Sequence, residues 1–483
     1  KDERFEFRRV LTIDASENIT GLSIGSGKIL YTPQNFTELE VKIDLVGENF
    51  RESAEIYSEK GYPVAFFWKN HERLKLKPGI YRLEVVVSGV PKVSTYSNLY
   101  VLLDVSFSVP PHFLQNESVT KTIEIDSFKL SYRVVGGFGR DEAWSVDKGI
   151  YVGGFIVTSK DRDAIVIRLN DTKILWAKIW RTDEDEWIWD VSEGEGCVYS
   201  AVLSSLKSVL LKLSDKGEFV WAKELKLLGK DVLTDITAVA CRGECVFAGG
   251  NFLAKLADLK EPEVLWCRYP FGLIRDIRLS GDCVYILDNT NLFKFDSQGN
   301  VIWAKRIKGR HYMDLKSMYV TPSGIYVLGR INDSAAVLML DHDANLRWAK
   351  LLLQERICLP SSIYVDEEIY IVGDVPKGSF LAIFDPKTDK AQGIVVSGSE
   401  LRDVVSFGDM IYCVGIAQNQ SLEIHLVNYT VSNINITVEN INRTFESCLL
   451  SLNNTKGLLE DFAAGRGEKG DILLVEVSLN QTT

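Results

Sequence analysis

The strongest constraint on this chain is a repeat. A pair made of one aliphatic and one aromatic residue stands at Ile150-Tyr151, Val198-Tyr199, Val246-Phe247, Val284-Tyr285, Ile325-Tyr326, Ile369-Tyr370 and Ile411-Tyr412, and Leu458-Leu459 reads as a degenerate eighth copy. A large apolar residue follows each pair, at Leu169, Leu213, Leu256, Phe295, Leu340, Phe384, Leu426 and Val477, at intervals of 39 to 51 residues with a mean of 44. A third motif is built on tryptophan: Trp176-Ala177-Lys178, Trp221-Ala222-Lys223, Trp266-Cys267-Arg268, Trp303-Ala304-Lys305 and Trp348-Ala349-Lys350. Turns such as Ser214-Asp215-Lys216-Gly217 and Asp296-Ser297-Gln298-Gly299-Asn300 precede it. Asp and Asn accept local backbone hydrogen bonds there and Gly supplies a positive φ, so each turn is expected to close a hairpin.

A period near 44 residues is that of one four-stranded blade of a β-propeller. A blade alone leaves both faces of its sheet wet, so it is stable only when stacked between neighbours around an axis. The expectation is an all-β chain: an N-terminal β-sandwich followed by an eight-bladed β-propeller over residues 128–483. Seven blades, with the segment after Asn433 as an insertion, is the alternative. Trp176, Trp221, Trp266, Trp303 and Trp348 are the expected blade-packing residues, each covering the adjacent blade. The chain stops after Val477 before a last outer strand can form. Phe128–Val135 is expected to supply that strand, joining the two ends of the propeller in one sheet and removing an open edge.

The run from Phe293 to Lys305, continued by Gly324-Ile325-Tyr326-Val327-Leu328-Gly329, resembles the repeats of quinoprotein-like β-propellers and of archaeal propeller-repeat proteins. The resemblance implies architecture. Quinoprotein enzymes hold pyrroloquinoline quinone beside a calcium-binding acidic cluster and, in many, an adjacent Cys-Cys pair. This chain has no adjacent cysteines and no matching cluster, so no cofactor and no metal site is expected.

Residues 1–110 read as six to eight strands, among them Phe5 to Ile13, Leu39 to Val46, Pro63 to Trp68, Tyr81 to Val87 and Tyr100 to Phe107. The turn at Pro78-Gly79, followed by Tyr81, Leu83, Val85 and Val87 on one face, resembles the immunoglobulin-like sandwiches of cell-surface proteins. Pro110-Pro111 opens an expected linker over 111–127, because paired prolines cannot continue a sheet ladder. Phe5, Phe7, Arg9, Leu11 and Ile13 alternate along the first strand. It is either the first strand of its own sandwich or a donor strand, within residues 1–14, that completes the sheet of another copy.

Compartment is read from asparagine. Asn18, Asn35, Asn116, Asn170, Asn332, Asn419, Asn428, Asn435, Asn442, Asn453 and Asn480 each open an Asn-x-Ser/Thr acceptor without proline. Chance placement would give about three such sites, so eleven point to a secreted, N-glycosylated protein. Six of them crowd between Asn419 and Asn480, across the expected blades seven and eight, leaving blades two to four bare for contacts. The chain begins without Met and without an apolar signal core, which reads as a processed, mature protein. Eight cysteines suit an oxidising compartment; Cys241 with Cys245, Cys267 with Cys283 and Cys413 with Cys448 are the candidate bridges. Low Met and Gln and few His point to an archaeal thermophile.

A formal charge of -11 gives no basic stripe for nucleic acid, and no apolar run reaches the roughly 18 residues of a membrane span. No Gly-x-Ser-x-Gly elbow, His-Glu-x-x-His or phosphate loop is present. The acidic run Asp183-Glu184-Asp185-Glu186 beside Trp187 and Trp189 is either a sugar site or a solvated loop between blades. The reading is a non-enzymatic extracellular or cell-surface structural glycoprotein, self-assembling into filaments or a surface layer through its N-terminal domain. Its expected partners are copies of itself or other surface proteins. The alternatives are a monomeric carbohydrate- or protein-binding adhesin, then a quinoprotein or glycosidase enzyme.

Overall fold

The computed structural model describes the chain except residues 1–4, 16–18, 25, 31–35, 49, 58–63, 69–73, 77–78, 92–99, 103–104, 109–120, 126–127, 136–140, 148–150, 158–160, 171–172, 205–206, 231, 310–312, 333, 354–357, 377, 409, 419–421, 456, 463–470 and 480–483. The described residues form strands and turns without a helix, so none is long and apolar enough to cross a membrane. The chain divides into two compact units, Lys1–Phe113 and Leu114–Thr483.

In the first unit a seven-stranded sheet runs in the order Phe5–Ala15, Gly79–Pro91, Phe36–Gly47, Phe50–Tyr57, Val64–Trp68, Ser26–Leu30 and Tyr100–Leu102. A three-stranded sheet runs Val105–Ser108, Ile19–Ile24, Leu74–Leu76. Tyr100 to Phe107, read as one strand, is therefore divided between two sheets. Ile43, Leu45, Tyr81, Leu83 and Val85 are buried while Lys42, Ile80 and Arg82 are exposed, the period-two signature of a sheet with one face on a core. Phe5–Ala15 pairs along its whole length with Gly79 to Gly89 of the same chain.

The second unit is a propeller-like ring. Five of its sheets have five strands and one has nine, the last being two four-stranded arms joined through Glu423–Asn433. Set 1 is Glu142–Asp147, Tyr151–Val157, Arg162–Asn170 and Lys173–Arg181; set 2 is Glu186–Gly194, Cys197–Ser204, Lys207–Ser214 and Phe219–Leu228. Set 3 is Ile236–Arg242, Cys245–Gly250, Leu253–Ala257 and Glu263–Tyr269; set 4 is Asp276–Ser280, Cys283–Leu287, Asn291–Phe295 and Val301–Gly309. Set 5 is Met313–Thr321, Gly324–Ile331, Ser334–Leu340 and Leu346–Leu353; set 6 is Leu359–Val365, Ile369–Val375, Gly378–Asp385 and Lys390–Ser397. Set 7 is Ser399–Phe407, Met410–Ala417, Asp471–Leu479 and Phe128–Val135.

The first strands of these sets touch in closed order, set 1 against set 2 and onward until set 7 meets set 1. One cluster of buried apolar side chains fills each gap between neighbouring sets. The core is thus a ring of sheet-to-sheet interfaces. The repeated aromatic supplies it: Tyr151, Tyr199, Phe247, Tyr285, Tyr326, Tyr370 and Tyr412 are all buried, each worth roughly 2–3 kcal/mol by area. In sets 1 to 5 this ring lies 5.9 to 6.2 Å from the tryptophan of the same set's outer strand. The indole N–H then reaches the next set, Trp176 donating to Asp215 O at 2.9 Å, Trp266 to Ser297 O at 3.0 Å and Trp303 to His342 O at 3.1 Å.

Phe128–Val135 is hydrogen-bonded to Asp471–Leu479, with Leu130 opposite Val477 and Tyr132 opposite Val475. The two ends of the unit therefore share one sheet. Lys121–Ile125, within the stretch read as linker, adds a fifth strand beside Phe128–Val135.

The residues read as the eighth repeat do not form a four-stranded set of their own. Leu458-Leu459 lie in Leu458–Asp461, a fifth strand on the outside of set 1, and Leu426 lies in Glu423–Asn433, outside sets 5 and 6. After Ala417 the chain leaves set 7 and runs backwards round the rim. Residues 423–429 pair with set 6 and 430–433 with set 5, then Ile436–Asn440 with set 4, Glu446–Ser447 with set 3, Leu449–Asn454 with set 2 and Leu458–Asp461 with set 1. It then enters set 7 as the third strand, where Val477 sits. Leu426 and the Leu458-Leu459 pair are apolar as the blade residues are, which is why they imitate a repeat.

Candidate functional site

Two places concentrate polar chemistry: the innermost strands, and the belt formed by residues 423–461. On the innermost strands, Ser145, Asp190, Ala238, Asp276, Ser317, Ser362 and Asp403 occupy equivalent positions, two residues before the one that faces the repeated aromatic. In six of the seven a register shift directly precedes this position, a bulge that re-aims the side chain.

These residues tie one set to the next. Asp403 accepts from the Val146 N–H at 2.8 Å and from Ser362 Oγ at 2.5 Å. Asp190 accepts from Ser145 Oγ at 2.9 Å and the Val239 N–H at 2.8 Å; Asp276 accepts from Ser317 Oγ at 2.9 Å and the Met318 N–H at 2.8 Å. Thr237 Oγ1 donates to Ile274 O at 2.6 Å, joining set 3 to the turn that leads into set 4.

Burial pushes the Asp190 carboxyl up to about 8, against the Val239 N–H and Arg278 that favour its charge, and burial also raises Asp403. Burial opposes the charge on Arg278, yet Asp276, Asp190 and Asp403 together hold its pKa above the ordinary value. Asp190 and Asp403 have both oxygens hydrogen-bonded between sets, so the ring fastens one set to the next.

Trp144, Trp189 and Arg402 are the bulge residues of sets 1, 2 and 7. The two indoles meet edge to face at 4.6 Å, and the Arg402 guanidinium lies 5.4 Å from the Trp144 ring while pairing with Asp374 at 3.1 Å and with Glu400. Aromatic faces beside a cation and carboxylates form a mixed arc across three neighbouring sets.

The acidic run is a turn between sets 1 and 2, exposed at Asp183, half-buried at Glu184 and Asp185, and buried at its end. Glu186 is fully buried and accepts from the Thr182 N–H at 3.1 Å and from Thr182 Oγ1, and burial pushes its carboxyl up to about 7. Glu184 accepts from Ser204 Oγ at 2.6 Å, and Asp185 from the Arg162 N–H at 2.9 Å. The run therefore closes the turn between sets 1 and 2. His342 bonds Tyr285 at 3.1 Å and His425 is exposed; His71, His112 and His311 lie outside the described residues. Among the described residues no group of His, Cys, Asp and Glu is arranged to hold a metal ion.

The belt keeps a strict pitch. Ile434, Ile441, Cys448, Thr455 and Phe462, seven residues apart, donate their N–H to the carbonyls of Ala349, Ala304, Cys267, Ala222 and Ala177 at 3.0 to 3.2 Å. The acceptors are the middle residues of the five Trp motifs. One residue earlier in each step, Asn433, Asn440, Ser447, Asn454 and Asp461 face Lys350, Lys305, Arg268, Lys223 and Lys178. Lys223 reaches Asn454 Oδ1 and Lys178 reaches Asp461, each at 2.5 Å.

At the third step Cys448 is bonded to Cys267 in a disulfide across 181 residues. That bond replaces the expected pairings of Cys267 with Cys283 and of Cys413 with Cys448; Cys283 and Cys413 are free thiols, as are Cys241 and Cys245. Arg242 pairs with Cys245 across the hairpin, so Cys241 and Cys245 point to opposite faces of the sheet.

Asn428, Asn435, Asn442 and Asn453 are on the belt and exposed, and Asn170 and Asn332 are exposed in turns or strand ends of sets 1 and 5. Asn18, Asn35, Asn116, Asn419 and Asn480 lie outside the described residues. The belt acceptors are spread along sets 6 to 2, so they do not leave one flank of the ring bare. Sequence reasoning missed both the axial ring and the belt. A small or acidic residue nine positions before the aromatic (Asp190, Ala238, Asp276, Ser317, Asp403) and the seven-residue pitch of Asn428, Asn435 and Asn442 were the available signals.

No family model matches this chain, and no curated protein matches it. Among solved structures it is similar to the WD40 domain of Neurospora crassa Pan2 (10% identity, TM-score 0.44, covering 64% of this chain and 97% of that one). It is similar also to BamB from Moraxella catarrhalis (13%, 0.34, 57% and 93%) and to the dihydro-heme d1 dehydrogenase NirN (10%, 0.40, 69% and 79%).

Proposed function

We propose that this chain is a non-catalytic extracellular or cell-surface structural glycoprotein, whose second unit is a seven-bladed β-propeller and whose first is an immunoglobulin-like sandwich. The observation that carries the reading is the belt: a disulfide-anchored rim strand on which Asn428, Asn435, Asn442 and Asn453 are all exposed in Asn-x-Ser/Thr acceptors. Both chemistries belong to an oxidising, secretory route. The engagement of the axial carboxylates between blades supports a scaffold in place of an acid-base site. Assembly runs through the first unit, where Phe5–Ala15 is an edge strand that can pair with a second copy as it pairs with Gly79–Pro91 here. Intact-mass measurement and electron microscopy of native material test this: glycan mass and ordered fibres or lattices are expected. An unmodified, dispersed protein overturns the reading.

A monomeric carbohydrate-binding adhesin is the second reading, favoured by the arc of Trp144, Trp189 and Arg402. Binding on a sugar array that is lost in Trp144→Ala and Trp189→Ala variants would establish it.

A further inference from the structure

Three of the belt's steps read Val427-Asn-Tyr-Thr-Val-Ser-Asn, Ile434-Asn-Ile-Thr-Val-Glu-Asn and Ile441-Asn-Arg-Thr-Phe-Glu-Ser. The first residue of the second and third steps bonds the outer strand of the blade, and the second residue of every step is an acceptor asparagine. Asn428, Asn435, Asn442 and the threonines two residues on, Thr430, Thr437 and Thr444, are all exposed. The acceptors fall where the belt passes from one blade to the next: Asn428 just before the crossing from set 6 to set 5, Asn435 between sets 5 and 4, Asn442 between sets 4 and 3.

Ile436–Asn440, Glu446–Ser447, Leu449–Asn454 and Leu458–Asp461 are outermost in their sheets and pair on one side only, while Glu423–Asn433 is shared by two sets, its residues 423–429 pairing with set 6 and 430–433 with set 5, so that each of its residues has one partner. Their other side is a row of open backbone N–H and C=O groups around the rim, the feature through which sheets add strands from another chain. Such rows are usually protected by lysine, proline, bulges or a covering element. Here the positions one after the blade contacts of Ile434 and Ile441 carry acceptor asparagines, and Asn428 stands at the same place one seven-residue step earlier. The next equivalent position is Leu449, which is 73% exposed.

We propose that the belt is a glycan-bearing edge guard: N-linked glycans at Asn428, Asn435 and Asn442, one per blade step and joined by Asn453 on set 2, block the open rim against strand addition by a second copy of this chain. The proposal rests on the glycoprotein reading above. In each attachment the Asn Nδ2 forms a bond to the anomeric carbon of a lipid-linked oligosaccharide phosphate; the carbon–oxygen bond to the lipid phosphate breaks and Nδ2 loses a proton. Paired strands lie about 4.8 Å apart, and an oligosaccharide standing at the edge leaves no room for that approach.

The test uses the full chain made in a secreting host. Glycopeptide mapping is expected to find Asn428, Asn435 and Asn442 occupied. The folded glycoprotein is then treated under native conditions with an amidase that cleaves the Asn–glycan bond, and a Thr430→Ala, Thr437→Ala, Thr444→Ala variant is made in parallel. At equal concentration, sedimentation is expected to show at least a twofold rise in mass for the deglycosylated protein. The untreated protein should not change. Leu449→Asn creates Asn-Leu-Ser at the next step and should gain one glycan without loss of fold. Unoccupied asparagines overturn the glycoprotein reading and this proposal together. Occupied asparagines whose removal leaves sedimentation unchanged overturn the edge guard alone, and the amidase arm decides this even if the triple variant fails to fold.

Discussion

The Cys267–Cys448 disulfide closes a loop of 181 residues and is the one covalent link between belt and blade among the described residues. Loop entropy for a closure of that length is worth about 5 kcal/mol at 25 °C. The second unit spans residues 114–483, and a melting entropy of about 2.1 cal/mol/K per residue converts that energy into a fall of about 6 °C in Tm. Calorimetry of the oxidised protein against a Cys267→Ala, Cys448→Ala variant reads the shift directly. The same protein reduced under native conditions controls for the packing lost at Cys267. Limited proteolysis adds a local readout, since a belt freed at its centre should be cut between Ile434 and Phe462 before any blade strand. A variant melting within 1 °C of the parent, with an uncut belt, would refute the reasoning: the belt would then be held by its hydrogen bonds alone.

Other expectations follow from single residues. Glu186 has a folded pKa of about 7 through burial, above the ordinary 4.5, so its favourable contribution is complete below pH 4.5 and is lost as pH rises to 7. Glu186→Gln should therefore gain about 3 kcal/mol on the parent at pH 8 and nothing at pH 4; equal urea midpoints at both pH values count against it. Gly299 has φ +78° and a Cβ there would meet the Trp266 ring at 2.8 Å, whereas Gly281 has φ +54° with nothing within 4 Å. Both alanine variants should lose about 1–2 kcal/mol to the left-handed backbone, but only Gly299→Ala should also shift tryptophan fluorescence. Asp403→Ala leaves the Val146 N–H and Ser362 without their partner, at a cost of about 3 kcal/mol, and amide exchange at Val146 should accelerate.

What could be read beforehand follows from distance along the chain. The aliphatic-aromatic pair was legible because in sets 1 to 5 each copy meets the Trp of its own blade, within one repeat. The closing strand was legible by subtraction, since the last repeat ended without an outer strand and Phe128–Val135 had the right composition. The repeat ceased to be a guide where the chain stopped obeying the local rule. Leu426 and Leu458-Leu459 have the apolarity of blade strands, and only their partners, in other sets, show that they are edges. The disulfide was hidden for the same reason, because Cys448 meets Cys267 only after the belt has passed three blades. The axial serines and aspartates were overlooked because one small polar residue in an apolar strand has no meaning until the neighbouring blade offers an N–H.

The pitch of the belt is set by the blades and not by the chain. Successive outer-strand acceptors Ala177, Ala222, Cys267, Ala304 and Ala349 are 45, 45, 37 and 45 residues apart, yet their belt donors never depart from seven. Seven extended residues reach about 23 Å, so seven such steps describe a rim of about 160 Å and a radius of about 26 Å. A fifth strand stands four spacings, about 19 Å, beyond the innermost one, which leaves about 7 Å from the axis to the inner strands. A belt at that radius runs nearly fully extended. One residue removed from a step shortens it by about 3.3 Å, while one added can bulge outward. Deleting Thr444, between Ile436–Asn440 and Glu446–Ser447, should therefore prevent Cys448 from reaching Cys267. Thr444→Ala loses the same hydroxyl and acceptor site at full length and should form the bond, as should a one-residue insertion at 444. Non-reducing peptide mapping distinguishes them, and a deletion variant that forms Cys267–Cys448 in full would show that the belt has slack and that its seven-residue pitch has another cause.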